Sequence, residues 1–323
     1  VSDAPLRAEA YLAPETLAQL SSFELRARML VEGISSGMHT SPNQGLAVEF
    51  AEHRPYTPGE SLRHLDWKVF GRSDKLYIKR YQQENNLDVM ILIDASSSMR
   101  FSTLPTKKGW GGTDAGRRDD QWTKFDCAAA IAVALAHLCL QQRDRVGLQI
   151  FSDDTRAVVR RSGSHGQWKS MVQALATTPV HGVANLPRAV NQLLAGLGHR
   201  CLIFLLSDFL FPLEQVREAL ARIKFSGHDL VLAQILDRGE LRFNLDGLRR
   251  FEDLEGAAPV ETDAEGVRAA YLDALRKHEA DLEKLARSFA YDLCRIDSHE
   301  SVGPPIMTLL GRRESLARHG GGR

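Results

Sequence analysis

Two acidic turns stand out by residue type and spacing. Asp94-Ala95-Ser96-Ser97-Ser98 follows one short apolar run, and Ser207-Asp208-Phe209 follows another. A carboxylate and alternate hydroxyls leaving the carboxyl end of a strand lie where open α/β sheets bind their ligands. If the two strands are neighbours across the point where strand order reverses, Asp94, Ser96, Ser98 and Asp208 converge. Such a set is hard oxygen throughout, without imidazole or thiolate, and it suits Mg²⁺, with Mn²⁺ as second choice and waters filling the octahedron. Taken singly, each Ser or Asp is better read as a cap for the next element. Taken as a set at two strand ends, the ligand reading is preferred.

The elements that must position these turns are legible as runs. Asp88 to Asp94 is a continuous apolar stretch, the mark of a strand buried on both faces of a parallel sheet. Val146 to Phe151, Cys201 to Leu206 and Leu230 to Leu236 repeat it. Helical patterns fall between them: Phe125 to Gln142, two segments within Gln167 to Leu197, and Leu213 to Lys224. The alternation predicts a doubly wound, mostly parallel α/β sheet of Rossmann-like type over residues 87–300. Glu240 to Thr262 reads as a hairpin, Ala264 to Phe289 as a long helix and Tyr291 to Ile296 as a last strand, with a tail over 301–323. Residues 1–86 read as a small module, with a helix from Pro14 to about Ile34 and an extended stretch from Ala47 to Tyr56. Ser102 to Gln121 is a polar, Gly-rich loop, longer than the roughly 12–15 residues most connections need.

Composition narrows the function. Of 323 residues, 41 are Lys or Arg and 41 Asp or Glu, so no whole-molecule field recruits nucleic acid or anionic lipid. The longest apolar stretch, Cys127 to Leu140, falls short of the ~20 residues a membrane span needs and reads as a buried helix. The first residues lack a basic start followed by an apolar core, so no secretory signal is expected. Cys127, Cys139, Cys201 and Cys294 are scattered without Cys-x-x-Cys spacing, which favours reduced thiols and a cytoplasmic setting.

Two stretches of the chain, one before the first core strand and one at its end, carry further patterns. Asp94-x-Ser96-x-Ser98 with the later Asp208 resembles the metal-ion-dependent adhesion site of a von Willebrand factor type A domain. The preceding Arg54-Pro-Tyr56-Thr-Pro-Gly59-Glu60-Ser-Leu-Arg63-His-Leu-Asp66-Trp67, then Arg72, Lys79 and Glu84, is similar to the block that introduces such a domain in the domain of unknown function 58 family. The resemblance implies two serines binding a cation directly, aspartates acting mostly through water, and a partner's carboxylate completing the shell. A threonine from another loop also belongs to that pattern, usually in Gly-Gly-Thr-x-Leu. Here the stretch is Gly182-Val183-Ala184-Asn185-Leu186, with Ala184 lacking the oxygen, so Asn185 or water must substitute, or affinity falls, or the site is vestigial. The resemblance further implies a MoxR-type AAA+ ATPase as partner.

Enzyme readings find less support. Gly33-Ile34-Ser35-Ser36-Gly37 satisfies the nucleophile-elbow pattern, but it follows a helix where that motif needs a strand. Ser96 stands where an aspartyl phosphotransferase needs its second Asp, and neither a phosphate loop nor His-Glu-x-x-His occurs. His181, the one histidine expected near the turns, reads as a loop residue. The leading expectation is a non-enzymatic protein-binding module with a divalent-cation site. The alternatives are a Mg²⁺-dependent hydrolase and a scaffold whose site has decayed. The Arg-rich block from Arg54 to Arg72 reads as a structural network.

Overall fold

The computed structural model describes residues 52–55, 70–72, 76–80, 87–105, 121–256, 258–309 and 311. The expected helix from Pro14 to Ile34, the Gly33 to Gly37 pattern, Arg63, Asp66, Trp67, Glu84, most of the Ser102 to Gln121 loop and the tail from Arg312 lie outside them. Two compact units divide the chain, and Met38–Asn85 is the smaller. Within it β1 (Glu52–Pro55) pairs antiparallel with β2 (Tyr77–Arg80), which places Arg54 and Lys79 on the two strands of one ribbon.

The larger unit is built on six strands: β3 (Asp88–Asp94), β6 (Arg145–Phe151), β7 (Thr155–Ser162), β8 (Leu202–Ser207), β9 (Asp229–Leu236) and β12 (Asp292–Asp297). Their order is β12-β9-β8-β3-β6-β7, so the first strand is central and the order reverses between β3 and β8. All neighbours run parallel except β7, which returns antiparallel along β6. That edge strand has a half-buried pattern, with Ala157 and Val159 packed inward between arginines. Two short ribbons, β4 with β5 (Leu104–Pro105 and Gln121–Trp122) and β10 with β11 (Leu248–Phe251 and Val260–Asp263), stand apart from the sheet. The expected hairpin thus begins at Leu248, because Arg238–Arg242 forms a helical turn first.

Each central strand is apolar on both faces because helices cover both. On β3, Val89, Ile91 and Ile93 enter one core while Met90 and Leu92 enter the other, the two-residue period of a pleated strand. The first core is closed by α1 (Lys124–Gln141) and α2 (Gln167–Thr177). The second is closed by α3 (Leu186–Ala195) and α4 (Leu213–Phe225), with Leu282, Leu285 and Ala286 of the long helix Ala264–Ser288. Alanines at 128, 129, 130, 132, 134 and 136 let α1 lie close to the sheet, and nearly its whole circumference is buried. Among the described residues it is the one helix long and apolar enough to cross a membrane, and 83% of it is buried inside the protein. The four cysteines are reduced thiols, three buried and Cys294 partly exposed.

Candidate functional site

β3 and β8 are paired side by side, Ile93 opposite Leu206, so Asp94 and the Ser207-Asp208 turn emerge at the same edge of the sheet. Both carboxylates are fully buried. Asp94 Oδ1 accepts the Ser96 backbone N–H at 2.8 Å, and Oδ2 accepts the Ser207 hydroxyl at 2.7 Å. Ser207 therefore joins the two strand ends, a contact absent from the sequence reading. The Ser96 and Ser98 hydroxyls lie 3.1 Å apart as the chain turns through the 3₁₀ segment Ser97–Arg100. Burial, and then the negative charge of Asp208, push the Asp94 carboxyl up to about 7, against the Ser207 and Ser96 bonds that pull it down.

A third loop joins the same edge. The Ser97 N–H donates to Gly182 O at 2.8 Å, and the Gly182 N–H returns a bond to Ser97 Oγ at 2.9 Å. Gly182 holds φ at +89°, a left-handed conformation that glycine adopts freely. Ala184, at the threonine position of the family pattern, is buried with the α3 core. Asn185 Oδ1 accepts the Arg188 N–H at 3.1 Å, the N-cap of α3, so its oxygen serves that helix. His181 Nδ1 lies 3.2 Å from an Arg156 nitrogen, beside the pair that Arg156 forms with Asp153.

Lys124, unnoticed in the sequence, is a fully buried cation in this region. A capping box at Thr123 and Asp126 starts α1, and the Lys124 N–H donates to Phe101 O, next to the serine turn. From that first helical position its side chain, wholly buried, donates to Asp208 Oδ2 at 2.8 Å and to Glu240 Oε1 at 2.7 Å. Burial works against the ammonium, but the charges of Asp208 and Glu240 outweigh it and hold its pKa above the usual lysine value. Asp208 Oδ1 accepts the Leu210 N–H at 3.2 Å, and Phe209 takes a left-handed φ of 56° directly after it. A lysine opening an apolar helix carries no sequence signal for this role, since its partners lie 84 and 116 positions away.

Beyond Lys124 a second polar cluster follows. Glu240 Oε2 accepts the Asp237 N–H at 2.8 Å. The buried Asp237 carboxylate gathers bonds from Thr103, Gly239, Ser298 and His299. Burial would raise its pKa, but the Thr103 and Gly239 hydrogen bonds and the nearby His299 bring it below the ordinary carboxylate value.

Among the described residues no group of three or more His, Cys, Asp or Glu side chains is arranged to hold a metal ion. A cation here would rest on the Ser96 and Ser98 hydroxyls, with Asp94 and Asp208 beside them. That donor set fits a hard divalent ion in being all oxygen, with Asp208 near enough for its charge to act on Asp94. Lys124 already answers part of the charge on Asp208.

The sheet is the doubly wound, mostly parallel one the sequence predicts, and β3 ends in Asp94-x-Ser96-x-Ser98 beside the reversal of strand order. The chain belongs to the family described as Protein of unknown function DUF58, matched over residues 52–281. It is 24% identical over 316 residues to the uncharacterized protein Rv1480 of Mycobacterium tuberculosis, covering 95% of this chain and 93% of that one. The uncharacterized protein Mb1516 of Mycobacterium bovis is similar to the same extent, 24% over 316 residues with the same coverage, 95% and 93%. Among solved structures, the conserved hypothetical protein BatB of Bacteroides thetaiotaomicron aligns with TM-score 0.46 and 16% identity over 72% of this chain and 99% of its own. The SpRpn10 VWA domain aligns with TM-score 0.36 and 16% identity over 68% of this chain and 92% of its own. None of these descriptions assigns an enzymatic activity.

Proposed function

We propose that this protein is a non-enzymatic binding module of the cytoplasm that grips an acidic group of a partner protein through a Mg²⁺ or Mn²⁺ ion at the sheet's carboxyl edge. The supporting observation is the convergence of Asp94, Ser96, Ser98 and Asp208 on one edge, with Ser207 bonded across the two strands. When bound, the ion supplies a positive point that a partner carboxylate can complete. Asp94 and Ser207 hold the turn, the Ser96 and Ser98 hydroxyls would serve as ligands, and Asp208 would act through water. The partner we infer is a MoxR-type AAA+ ATPase acting in protein assembly or maturation. That choice follows from the family resemblance and not from any surface of the molecule.

Calorimetric titration with Mg²⁺ and Mn²⁺ tests the ion. Wild type is expected to give a saturable heat that Asp94→Ala abolishes, and equal heats from both proteins would reject the site. A pull-down with added Mg²⁺ against chelator, using wild type and Asp94→Ala as bait, tests the partner. Capture of an AAA+ ATPase by wild type with Mg²⁺ alone is the expected result.

One observation favours a second reading, a scaffold that needs no ion. The Lys124 ammonium 2.8 Å from Asp208 is itself a buried positive charge at this edge. On that reading wild type gives no heat with either metal, and partner capture is indifferent to chelator.

A further inference from the structure

The cation reading leaves unexplained why a lysine is wholly buried against one of the two carboxylates. Lys124 does not stray there. Its backbone is fixed by the Thr123–Asp126 capping box and by the bond to Phe101 O, and its side chain has two carboxylate partners within 2.8 Å. Phe101 lies under the ammonium, its ring centroid 5.8 Å away. The charge is thus held in one place, between the Asp208 turn of β8 and Glu240 of the helical turn Arg238–Arg242.

We propose that Lys124 is the affinity-setting residue of this site: a tethered cation that competes with a divalent ion for Asp208, its hold on Asp208 weakened by the share of its charge that Glu240 takes. The proposal rests on the cation reading and adds a regulator to it. An ion that draws on Asp208 must either displace the ammonium or tolerate a like charge one hydrogen bond beyond that carboxylate. In buried surroundings repulsion of that kind is poorly screened. Glu240 is the other side of the balance. It gives the ammonium an alternative partner, so Lys124 can lean away from Asp208 without becoming an unpaired buried charge.

The consequence is a pair of substitutions with opposite signs. Lys124→Met removes the competitor and tightens Mg²⁺ and Mn²⁺ binding by about tenfold or more. Glu240→Gln removes the alternative partner, commits the ammonium to Asp208 and weakens binding by a similar factor. Lys124→Arg keeps the charge and stays near wild type. A purely structural role would loosen the site in both of the first two variants and shift affinity in one direction.

Calorimetry of the full chain with Mg²⁺ and Mn²⁺ alone, each variant's fold checked by circular dichroism and thermal melting, decides between them. Opposite shifts support the proposal. A heat that appears in Lys124→Met when wild type shows none overturns the proposal in favour of the ion-free scaffold, with the ammonium standing in the ion's place. Measurable wild-type binding that both variants leave unchanged, or weaken alike, overturns the role of Lys124 and leaves the cation site standing. No heat in any of the proteins overturns both. Should Lys124→Met fail to fold, Glu240→Gln decides: an unchanged or tighter dissociation constant rejects the proposal.

Discussion

Lys124 and Asp208 carry the electrostatics of the sheet's carboxyl edge. Each is fully buried, and a charge taken out of water persists only with a close partner. Replacing Asp208 by Asn would remove the charge of that partner while Glu240 still serves the ammonium. The expected loss is therefore about 1–3 kcal/mol, the cost of a weakened buried polar contact, and not the larger cost of an orphaned ion. Urea unfolding of Asp208→Asn in the presence of chelator measures it, and a midpoint equal to wild type would show that the pair contributes nothing to the fold. The two carboxylates and the two serines of the turn were legible from residue type and spacing, because strand ends with Asp and alternate Ser form a local pattern. Lys124 and Ser207 were not, because their roles depend on partners contributed by other strands and turns.

The strands and helices that bring these groups together rely on close approach at a few points. Gly147 in β6 is one: a Cβ there would meet Met90 Sδ at 2.7 Å, Arg161 Cγ at 2.8 Å and the Val159 carbonyl at 2.9 Å. The pairing of β6 with β7 shifts register at the same place, between Val146 and Leu148. Gly147→Ala is expected to push β7 away from β6 and to destabilise the domain by about 1–3 kcal/mol, the usual cost of overpacking. Thermal unfolding checks this, and an unshifted transition would mean that Met90 and Arg161 yield without cost. The edge strand β7 was itself missed in the sequence. Its alternation is masked by arginines at 156, 160 and 161, whereas the central strands announce themselves by unbroken apolar runs. The same contrast hides Arg238–Arg242 within the expected hairpin, since a five-residue helical turn has no period long enough to recognise.

The molecule as a whole separates two kinds of chemistry to opposite ends of its sheet. At the amino end of β8 and β9, His228 Nδ1 accepts the Cys201 N–H at 3.2 Å, while the Tyr291 hydroxyl donates to His228 O at 3.1 Å. Burial, with the nearby Arg161 charge, lowers the His228 pKa below 6.5, so the folded state favours the neutral ring. The contribution of this group to stability is therefore complete above about pH 6.5 and is lost as pH falls through the lowered value. His228→Asn keeps an acceptor for the Cys201 N–H without a titrating ring. Comparing urea midpoints at neutral and mildly acidic pH, the variant is expected to lose less stability on acidification than wild type. An equal loss would place the pH sensitivity elsewhere.

The amino-acid sequence by itself determined the α/β alternation, the buried central strands, the Ala-rich core helix and the candidate oxygen ligands. Each of those depends on periodicity or spacing within a dozen residues. Only the tertiary structure decided that Asp94 and Asp208 share an edge and that Ser207 bonds across it. It also decided that a lysine from the first turn of α1 stands against Asp208. These outcomes follow from strand order and from where a helix begins in space, and residues more than eighty positions apart leave no local trace of meeting.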